Sequence, residues 1–288
     1  MALRRSIGVL ALFAVAAIAA PWLTPYSPTE SLDLITAKLR PPSWAHPFGT
    51  DRYSRDVLSR VLHGARVSLA VASLAVLLSL LIGTTIGAAA GVLGGRVERA
   101  IRGGIDVLFS VPPLLVLLAV AALWEGLSTA SLVLLIGGLS WFDVARLVAD
   151  ETGSLMTRDF VLAAQATGVR RLRLLRHHLF PHLVPLLAVN GTLGIARTIS
   201  LEAGLSFLGL GIRPPAASWG TILGDGASMI QTAWWLTVFP GVAIVLAVLA
   251  FNALGDALRD RFAARHVADA ADTSPLVEPP RLLPAPLS

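Results

Sequence analysis

The sequence predicts an all-α polytopic membrane protein with about six transmembrane helices. Of its 288 residues, 55% are hydrophobic and only 14% are charged, whereas a typical soluble domain is about 25% charged. Several windows contain the roughly 20 mostly apolar residues that cross a hydrocarbon core about 30 Å thick. Arginine-rich segments separate these windows, and Lys38 is the only lysine. Because the chain has no cysteine, disulfides and thiolate metal sites are excluded.

The first predicted span runs from about Ile7 to Leu23, and residues 1–24 are expected to form an N-terminal membrane anchor. Arg4 and Arg5, followed by an apolar run and small residues, are also typical of a cleavable secretory signal peptide. Cleavage would leave the topology of the other five spans unchanged. Residues 25–64 mix acidic and basic side chains, and we expect this long segment to be external because long segments translocate largely regardless of charge.

The second predicted span, from about Leu69 to Leu93, carries a glycine at every fourth position of its last part. Gly83, Gly87 and Gly91 share one face of the helix, where the backbone of another helix can approach closely. We therefore predict a helix-packing face, although glycine is also common in membrane helices generally. The neighbouring helix could belong to the same chain or to another one.

The third and fourth predicted spans run from about Ile105 to Trp124 and from about Ala130 to Val148. Pro112 and Pro113 lie inside the third span. A membrane bundle tolerates such prolines where neighbouring helices satisfy the freed backbone groups.

The fifth predicted span, from about Leu183 to Leu205, contains the charged residues Arg197 and Glu202. Each central charge costs about 2.5–3.5 kcal/mol on an insertion scale, so we expect neighbouring helices to assist insertion. The two charges lie about 140° apart around the helix and cannot easily pair with each other. We expect them to face the bundle interior or an interface, and Asp106 and Asp143 are further candidates for intramembrane polar groups.

The sixth predicted span runs from about Trp235 to Leu254 and completes a core domain at residues 65–262. Arginine is concentrated in alternate connections, at residues 4–5, 96–102, 158–176 and 259–265. Basic residues favour the cytoplasmic side, so both termini and the loop at residues 149–182 are predicted to be cytoplasmic. The proline-rich residues 263–288 are predicted to form a disordered cytoplasmic tail. Trp219, Trp234 and Trp235 are predicted to mark the external interface, a depth that tryptophan prefers.

The segment from Asp159 to His182 is polar and arginine-rich, although it lies between two apolar spans. Asp159 is a candidate N-cap for a short helix. Gly168 is expected to end this helix, because glycine suits the position that follows the last helical residues. Small side chains at Ala163 and Ala164 would let a partner contact the helix backbone. We therefore predict a docking surface for a soluble partner, while the arginines alone are equally consistent with anionic lipid headgroups.

This loop resembles the EAA motif of ABC-importer permeases, in which an alanine pair, a glycine and a later hydrophobic–proline pair recur. The matching residues here are Ala163-Ala164, Gly168 and Phe180-Pro181, and Leu162 stands where the motif usually has glutamate. Residues 46–60, 202–220 and 251–259 resemble stretches of the second (C-type) membrane subunit of dipeptide and oligopeptide importers. The resemblance covers roughly Pro21 to Phe262.

The resemblance implies a type I ABC importer permease fold, in a multi-pass subunit of a prokaryotic inner membrane. It implies three kinds of partner: a sister permease subunit, two ABC ATPase subunits and an extracytoplasmic solute-binding protein. Residues alone leave open a second copy of this chain in place of the sister subunit. Peptides are the expected cargo, with nickel or another small solute as the alternative. ATP and Mg²⁺ would bind the ATPases, so this chain is expected to be non-catalytic and to hold no cofactor or metal. The residues expected to couple to the ATPases are Asp159, Ala163, Ala164, Gly168, Phe180 and Pro181.

Other functional classes fit the residues less well. The chain has no Gly-Lys-Ser/Thr sequence and therefore no P-loop. Ser140 and Ser206 could be proposed as nucleophiles, but no histidine lies at a similar predicted depth to act as the base. The arginines lie between spans and do not form the single basic face of a nucleic-acid-binding protein. An ion-coupled carrier is the remaining alternative, with an ionisable relay formed by Asp106, Asp143, Arg197 and Glu202.

Overall fold

The described part of the chain is almost entirely helical. The computed structural model describes residues 2–33, 37–124, 127–213 and 215–272. Within these ranges the only strand-like pairings are two isolated bridges, between Thr50 and Asp56 and between Leu127 and Ile212. The all-α prediction is confirmed. The helices are α1 (Ala2–Leu23), α2 (Val57–Leu93), α3 (Gly95–Phe109), α4 (Pro113–Leu123), α5 (Thr129–Leu139), α6 (Trp141–Met156), α7 (Asp159–Ala166), α8 (Arg171–Leu174), α9 (Phe180–Phe207), α10 (Trp219–Ala227) and α11 (Trp235–Asp272), with a π-helical turn at Leu175–Leu179.

Among the described residues, five helical segments are long and apolar enough to cross a membrane, and the count rises to six if the bent pair α3–α4 is one span. The axes of α3 and α4 differ by 70°, so the third predicted span is not one straight helix. Helix α3 ends at Phe109, and Pro113 begins α4. The break follows from the prolines, because proline has no N–H to continue the hydrogen-bond ladder of the preceding helix.

Helix α2 begins at Val57, well before the predicted start of the second span at Leu69. Its N-cap is Asp56, whose carboxylate accepts hydrogen bonds of 2.8 Å from both the backbone N–H and the hydroxyl of Ser59. Such a cap satisfies a donor that the first turn of a helix leaves free. Residues 57–64, which the sequence analysis assigned to the external segment, are therefore the first turns of α2.

Helix α2 lies at the centre of the bundle and packs against α5, α6 and α9. Helix α9 also packs against α11, and α1 contacts both α2 and α11. The first turns of α2 lie beside α10, where the Trp219 indole donates to the Val61 carbonyl, and we name this end of the bundle the α10 end. The last turns of α2 share a buried apolar cluster with α7 and α8, and we name this the α7 end.

The glycine face of α2 packs against α6 of the same chain. A Cβ atom built on Gly83 would lie 2.6 Å from the Cβ of Val144, and one built on Gly87 would lie 2.9 Å from the Cβ of Val148. On Gly91 the nearest atom would be the Cβ of Thr152, at 2.5 Å. Any side chain at these positions would therefore push the two helices apart.

Replacing Gly87 with valine is expected to lower the free energy of unfolding by about 1–3 kcal/mol, because overpacking forces side chains and backbone to shift. Gly103→Val is the matched control, since no atom lies within 4 Å of a Cβ built on Gly103. Thermal unfolding followed by tryptophan fluorescence measures both variants. Equal destabilisation of the two would contradict the packing role of Gly87.

Helix α11 runs from Trp235 to Asp272 and extends past the predicted end of the sixth span at Leu254. Residues 263–272, which were predicted to be disordered, continue this helix. Five of these ten residues are alanine, the strongest helix former, and no proline occurs between Pro240 and Pro275. Residues 273–288 of the predicted tail lie outside the described residues.

Two of the three tryptophans predicted at the external interface are core residues. Trp219 and Trp235 are 1% and 3% exposed, so both rings lie inside the protein, and their depth at the external interface stays a prediction. Their indole N–H groups donate to the carbonyl oxygens of Val61 and Thr50 at 3.0 Å. A satisfied indole donor allows the large apolar ring to be buried. Trp234 is 47% exposed.

Candidate transport surface and coupling loop

A cavity of about 370 Å³ opens between α2, α4, α5, α6 and α9. Its walls are mostly aliphatic, with Asn190 and Thr198 among the few polar groups, and Asp143 and Arg197 contribute opposite charges. Arg197 Nη1 lies 3.5 Å from Asp143 Oδ2, and both side chains are more than half exposed. Exposed pairs of this kind contribute little to stability. Both charges are therefore accessible to a charged solute or to a neighbouring subunit.

Asp106 lies on a different surface from this cavity. Its Oδ1 is 3.6 Å from Nη1 of Arg146, and both side chains are more than half exposed. Of the four predicted intramembrane polar residues, the structure joins only Asp143 and Arg197. The partners belong to different helices, α6 and α9, so spacing along the sequence could not identify the pair.

Glu202 is fully buried and links three helices. Its Oε1 accepts a hydrogen bond of 2.8 Å from the Ser206 hydroxyl, and its Oε2 accepts one of 2.9 Å from the Ser68 hydroxyl on α2. The oxygen of Ser68 in turn accepts a hydrogen bond of 3.3 Å from the backbone N–H of Trp219, at the start of α10. Glu202 therefore faces the bundle interior, as the sequence predicts, and does not pair with Arg197.

The predicted loop helix is present as α7, but its N-cap is Arg158 and not Asp159. Arg158 has extended backbone angles, and its carbonyl accepts hydrogen bonds from the N–H groups of Val161 and Leu162. Asp159 is therefore the first helical residue, where a carboxylate still interacts favourably with the positive end of the helix dipole.

Gly168 ends α7 in a left-handed conformation, with φ of 77°. Its N–H donates to the carbonyl of Gln165 at 2.9 Å, and the N–H of Val169 donates to the carbonyl of Ala164 at 3.2 Å. These two bonds are a Schellman motif, which glycine favours because it lacks a Cβ. No atom lies within 4 Å of a Cβ built on Gly168, so this residue sits on an open surface.

Helix α7 is anchored to the bundle by one face and exposed on the other. Val161 is fully buried among Leu155, Leu174 and Leu179, and Ala164 packs against this cluster. The opposite face leaves Ala163 exposed, together with the large apolar side chains Phe160 (37% exposed) and Leu162 (50% exposed). The ring of Phe160 also stacks on His182, with the ring centroids 5.2 Å apart.

The segment after Gly168 joins α9 without a change of direction. The predicted second loop helix is only the short α8, and the π-helical turn Leu175–Leu179 leads directly into α9. Phe180 and Pro181 form the exposed first turn of α9, and the N–H of Phe180 donates to the carbonyl of Leu175 in the π-helical turn. The prediction that Pro181 resets the chain direction is therefore wrong.

A buried ion network at the α10 end was not found by sequence reasoning. Asp51 is fully buried, and its Oδ2 lies 2.7 Å from Arg55 Nε and 2.6 Å from Arg60 Nη1. Asp225 of α10 contacts the same two arginines and ties α10 to the start of α2. Asp51 and Arg55 are four residues apart, a spacing from which an ion pair could have been predicted. Asp225 is too distant in sequence for its pairing with these arginines to be predicted.

Ser54 lies within this loop in a left-handed conformation, with φ of 59°. The residue is fully buried, and its hydroxyl has no hydrogen-bond partner. Ser54→Gly is expected to raise the free energy of unfolding by about 1 kcal/mol, because a left-handed L-residue costs about 1–2 kcal/mol. Ser54→Ala, which removes the hydroxyl but keeps the unfavourable φ, is the control. A gain for alanine as large as that for glycine in thermal unfolding would contradict the strain argument.

Among the described residues, no group of three or more histidine, cysteine, aspartate or glutamate side chains is arranged to hold a metal ion. The polar groups in the cavity between α2, α4, α5, α6 and α9 are charges and hydrogen-bonding side chains.

The spanning helices, the charged cavity and the exposed end helix define a class: a multi-pass membrane subunit that transports solutes. The chain belongs to the family of binding-protein-dependent transport system inner membrane components, whose model matches residues 83–267. It is accordingly the permease component of an ABC importer.

Relatives match most of the chain. A permease protein of Brucella suis biovar 1 (strain 1330) is 44% identical over 244 residues, which cover 84% of this chain and 79% of the relative. The dipeptide permease DppC of Bacillus subtilis (strain 168) is 38% identical, covering 88% and 78%. The nickel permease NikC of Escherichia coli (strain K12) is 36% identical, covering 89% and 92%. A chain of the MetNI methionine ABC transporter shares the fold, with a TM-score of 0.54 and 17% identity over 70% of this chain and 97% of that one.

Proposed function

We propose that this chain forms half of the path for peptides delivered by an extracytoplasmic solute-binding protein. A sister permease subunit forms the other half, and two ATPase subunits that bind ATP and Mg²⁺ drive transport from the α7 end. In this proposal the α7 end and both termini are cytoplasmic, and the α10 end faces the binding protein. Similarity to the dipeptide permease DppC supports a peptide cargo. Nickel is the second candidate because NikC is similar over most of its length.

The observation that carries the proposal is the direct packing of α7 against the start of α9, the helix that bears Arg197 of the cavity. Val161 of α7 lies in one buried cluster with Leu179 and Leu183, which lead into and begin α9. Phe160 stacks on His182 of α9. Arg197 is further along the same helix. A displacement of α7 by a bound ATPase would therefore reach the transport cavity through contiguous packing.

The distribution of charge supports the proposed orientation. Residues 158–182 at the α7 end contain five arginines and one acidic residue, a basic excess that favours the cytoplasmic side of a membrane protein. The three arginines of the ion network at the α10 end are instead offset in part by two carboxylates, those of Asp51 and Asp225. These arginines therefore oppose translocation of the external segment less than their number suggests.

Reconstitution in lipid vesicles tests the proposal. We expect peptide uptake to require the binding protein, the ATPase subunits and ATP, and to be unaffected by collapsing proton or sodium gradients. A tenfold excess of nickel salts should not compete with peptide. Uptake that proceeds without the ATPases, or that nickel competes away, would contradict the driving force or the cargo respectively.

The charge pair in the cavity gives a residue-level test. Asp143→Asn and Arg197→Gln are each expected to lower peptide transport about tenfold or more, because a hydrogen bond to a charged group is worth about 1.5–3 kcal/mol. The thermal stability of both variants should change by less than about 1 kcal/mol, since the pair is exposed. If the variants lose thermal stability together with peptide transport, the pair has a structural role instead.

A further inference from the structure

Three arginine side chains converge on one carboxylate at the α10 end. They line a second cavity, of about 320 Å³, together with Asp225. Oδ1 of Asp225 lies 3.2 Å from Nη2 of Arg52, and Oδ2 lies 3.5 Å from Nη2 of Arg55 and 3.0 Å from Nη1 of Arg60. The lining thus carries three positive charges and one negative charge. Asp51, behind the lining, still leaves three positive charges against two negative ones.

The guanidinium groups have more donors than the two carboxylates can satisfy. Each guanidinium has five N–H donors. The side chain of Arg60 is only 4% exposed, and the Nε atoms of Arg60 and Arg52 are buried without a hydrogen-bond partner. A buried donor without an acceptor is unfavourable. The cavity therefore has a net positive charge, and its guanidinium N–H groups outnumber the carboxylate oxygens that accept from them, an imbalance that a further carboxylate would reduce.

The arginines at the rim are held in position before any ligand arrives. The guanidinium carbons of Arg52 and Arg55 each lie 4.7 Å from the ring centroid of Tyr53. Cation–π contacts of this kind restrict both side chains, so less conformational entropy is lost when a ligand binds. A planar guanidinium group also matches a carboxylate with two parallel hydrogen bonds.

We propose that this cavity is a carboxylate-binding subsite, distinct from the transport cavity. The carboxylate is the terminal group of a peptide or an acidic side chain of a protein partner, since the recognition chemistry is the same for both. Arg52, which is 39% exposed and makes a single ion pair, is the principal ligand-facing donor. The assignment rests on the geometry of the α10 end and is independent of the proposed coupling at the α7 end.

Protection of a single cysteine tests the subsite in the assembled transporter. Because this chain has no cysteine, Ala216→Cys places a unique thiol in the exposed lining of the cavity, provided that the other subunits are made cysteine-free. The rate of modification by a neutral thiol reagent is measured with three probes. These are alanyl-alanine, alanyl-alanine amide, and an acetylated and amidated tripeptide whose only carboxylate is a glutamate side chain.

We expect one or both of the carboxylate probes to slow modification and the amide to have no effect. Protection by alanyl-alanine alone identifies a peptide terminus as the ligand, and protection by the glutamate probe identifies an acidic side chain. Arg52→Gln should raise the half-protecting concentration about tenfold, which corresponds to about 1.4 kcal/mol. Arg213→Gln, an exposed arginine at the same end and outside the cavity lining, should change it less than twofold. Equal protection by the amide, protection by neither acid, or an unchanged value for Arg52→Gln would overturn the proposal.

Discussion

Replacing Ala163 with glutamate is expected to abolish ATP-driven transport while the chain still folds and inserts. Ala163 is exposed on the free face of α7, between Phe160 and the Schellman turn at Gly168. In the proposed complex this face is covered by an ATPase subunit, so the new carboxylate would be buried without a partner. Truncating or mismatching a charge in an interface costs about 2–5 kcal/mol. We therefore expect a loss of roughly 30-fold or more in ATPase association and in peptide uptake.

Ser154→Glu is the matched control for this substitution. It adds the same charge at an exposed position of α6, outside the α7 surface. Ala164→Glu is a less suitable test, because Ala164 packs against the buried cluster under the loop and a glutamate there would also disturb α7 itself. Co-purification of the ATPase subunits and uptake by vesicles are the measurements. If Ala163→Glu retains both at the level of Ser154→Glu, the docking surface is not on this face of α7.

Replacing Glu202 with alanine is expected to lower the free energy of unfolding by about 3 kcal/mol. The substitution removes the acceptor of two buried hydroxyl groups, those of Ser68 and Ser206. A buried donor left unsatisfied costs about 1–3 kcal/mol, and the cavity left by the side chain adds a further penalty. The loss should loosen the start of α10, because Trp219 N–H is bonded to the Ser68 hydroxyl.

Glu202→Gln separates the hydrogen-bonding role from the charge. Glutamine keeps one oxygen acceptor in a side chain of nearly the same size, so we expect a loss of only about 1 kcal/mol. In the Ser68→Ala background the effect of Glu202→Ala should shrink, since residues in one hydrogen-bond network are not additive. Thermal unfolding of the four variants provides the measurements. Additive losses in the double variant would show that Glu202 does not act through Ser68.

Much of the spanning architecture was readable from the sequence, because hydropathy and helix periodicity are local properties. The apolar windows, the glycine face of α2 and the glycine that ends α7 each depend on residues within a few turns of one another. The helix boundaries were less accurate. Asp56 begins α2 earlier than hydropathy suggests, and the prolines divide the third span into two helices.

The residue pairs of the candidate sites could not be predicted in the same way. Sequence reasoning selected Asp143, Arg197 and Glu202 as polar groups in apolar spans, but it could not assign their partners. Asp143 and Arg197 are 54 residues apart, and Ser68 and Glu202 are 134 residues apart. The burial of Trp219 could not be predicted for a related reason: it depends on a carbonyl of α2 that accepts the indole N–H.

The sequence alone therefore determined that this protein is a helical membrane protein, and its short motifs resemble those of ABC-importer permeases. Composition, apolar run length and short-range motifs are enough for that conclusion, because the bilayer requires each spanning segment to satisfy its own backbone. The tertiary structure alone decided that the glycines of α2 meet α6, that Arg197 meets Asp143, and that three arginines share Asp225. Those contacts depend on how separate helices pack, and packing brings together residues that no local pattern relates.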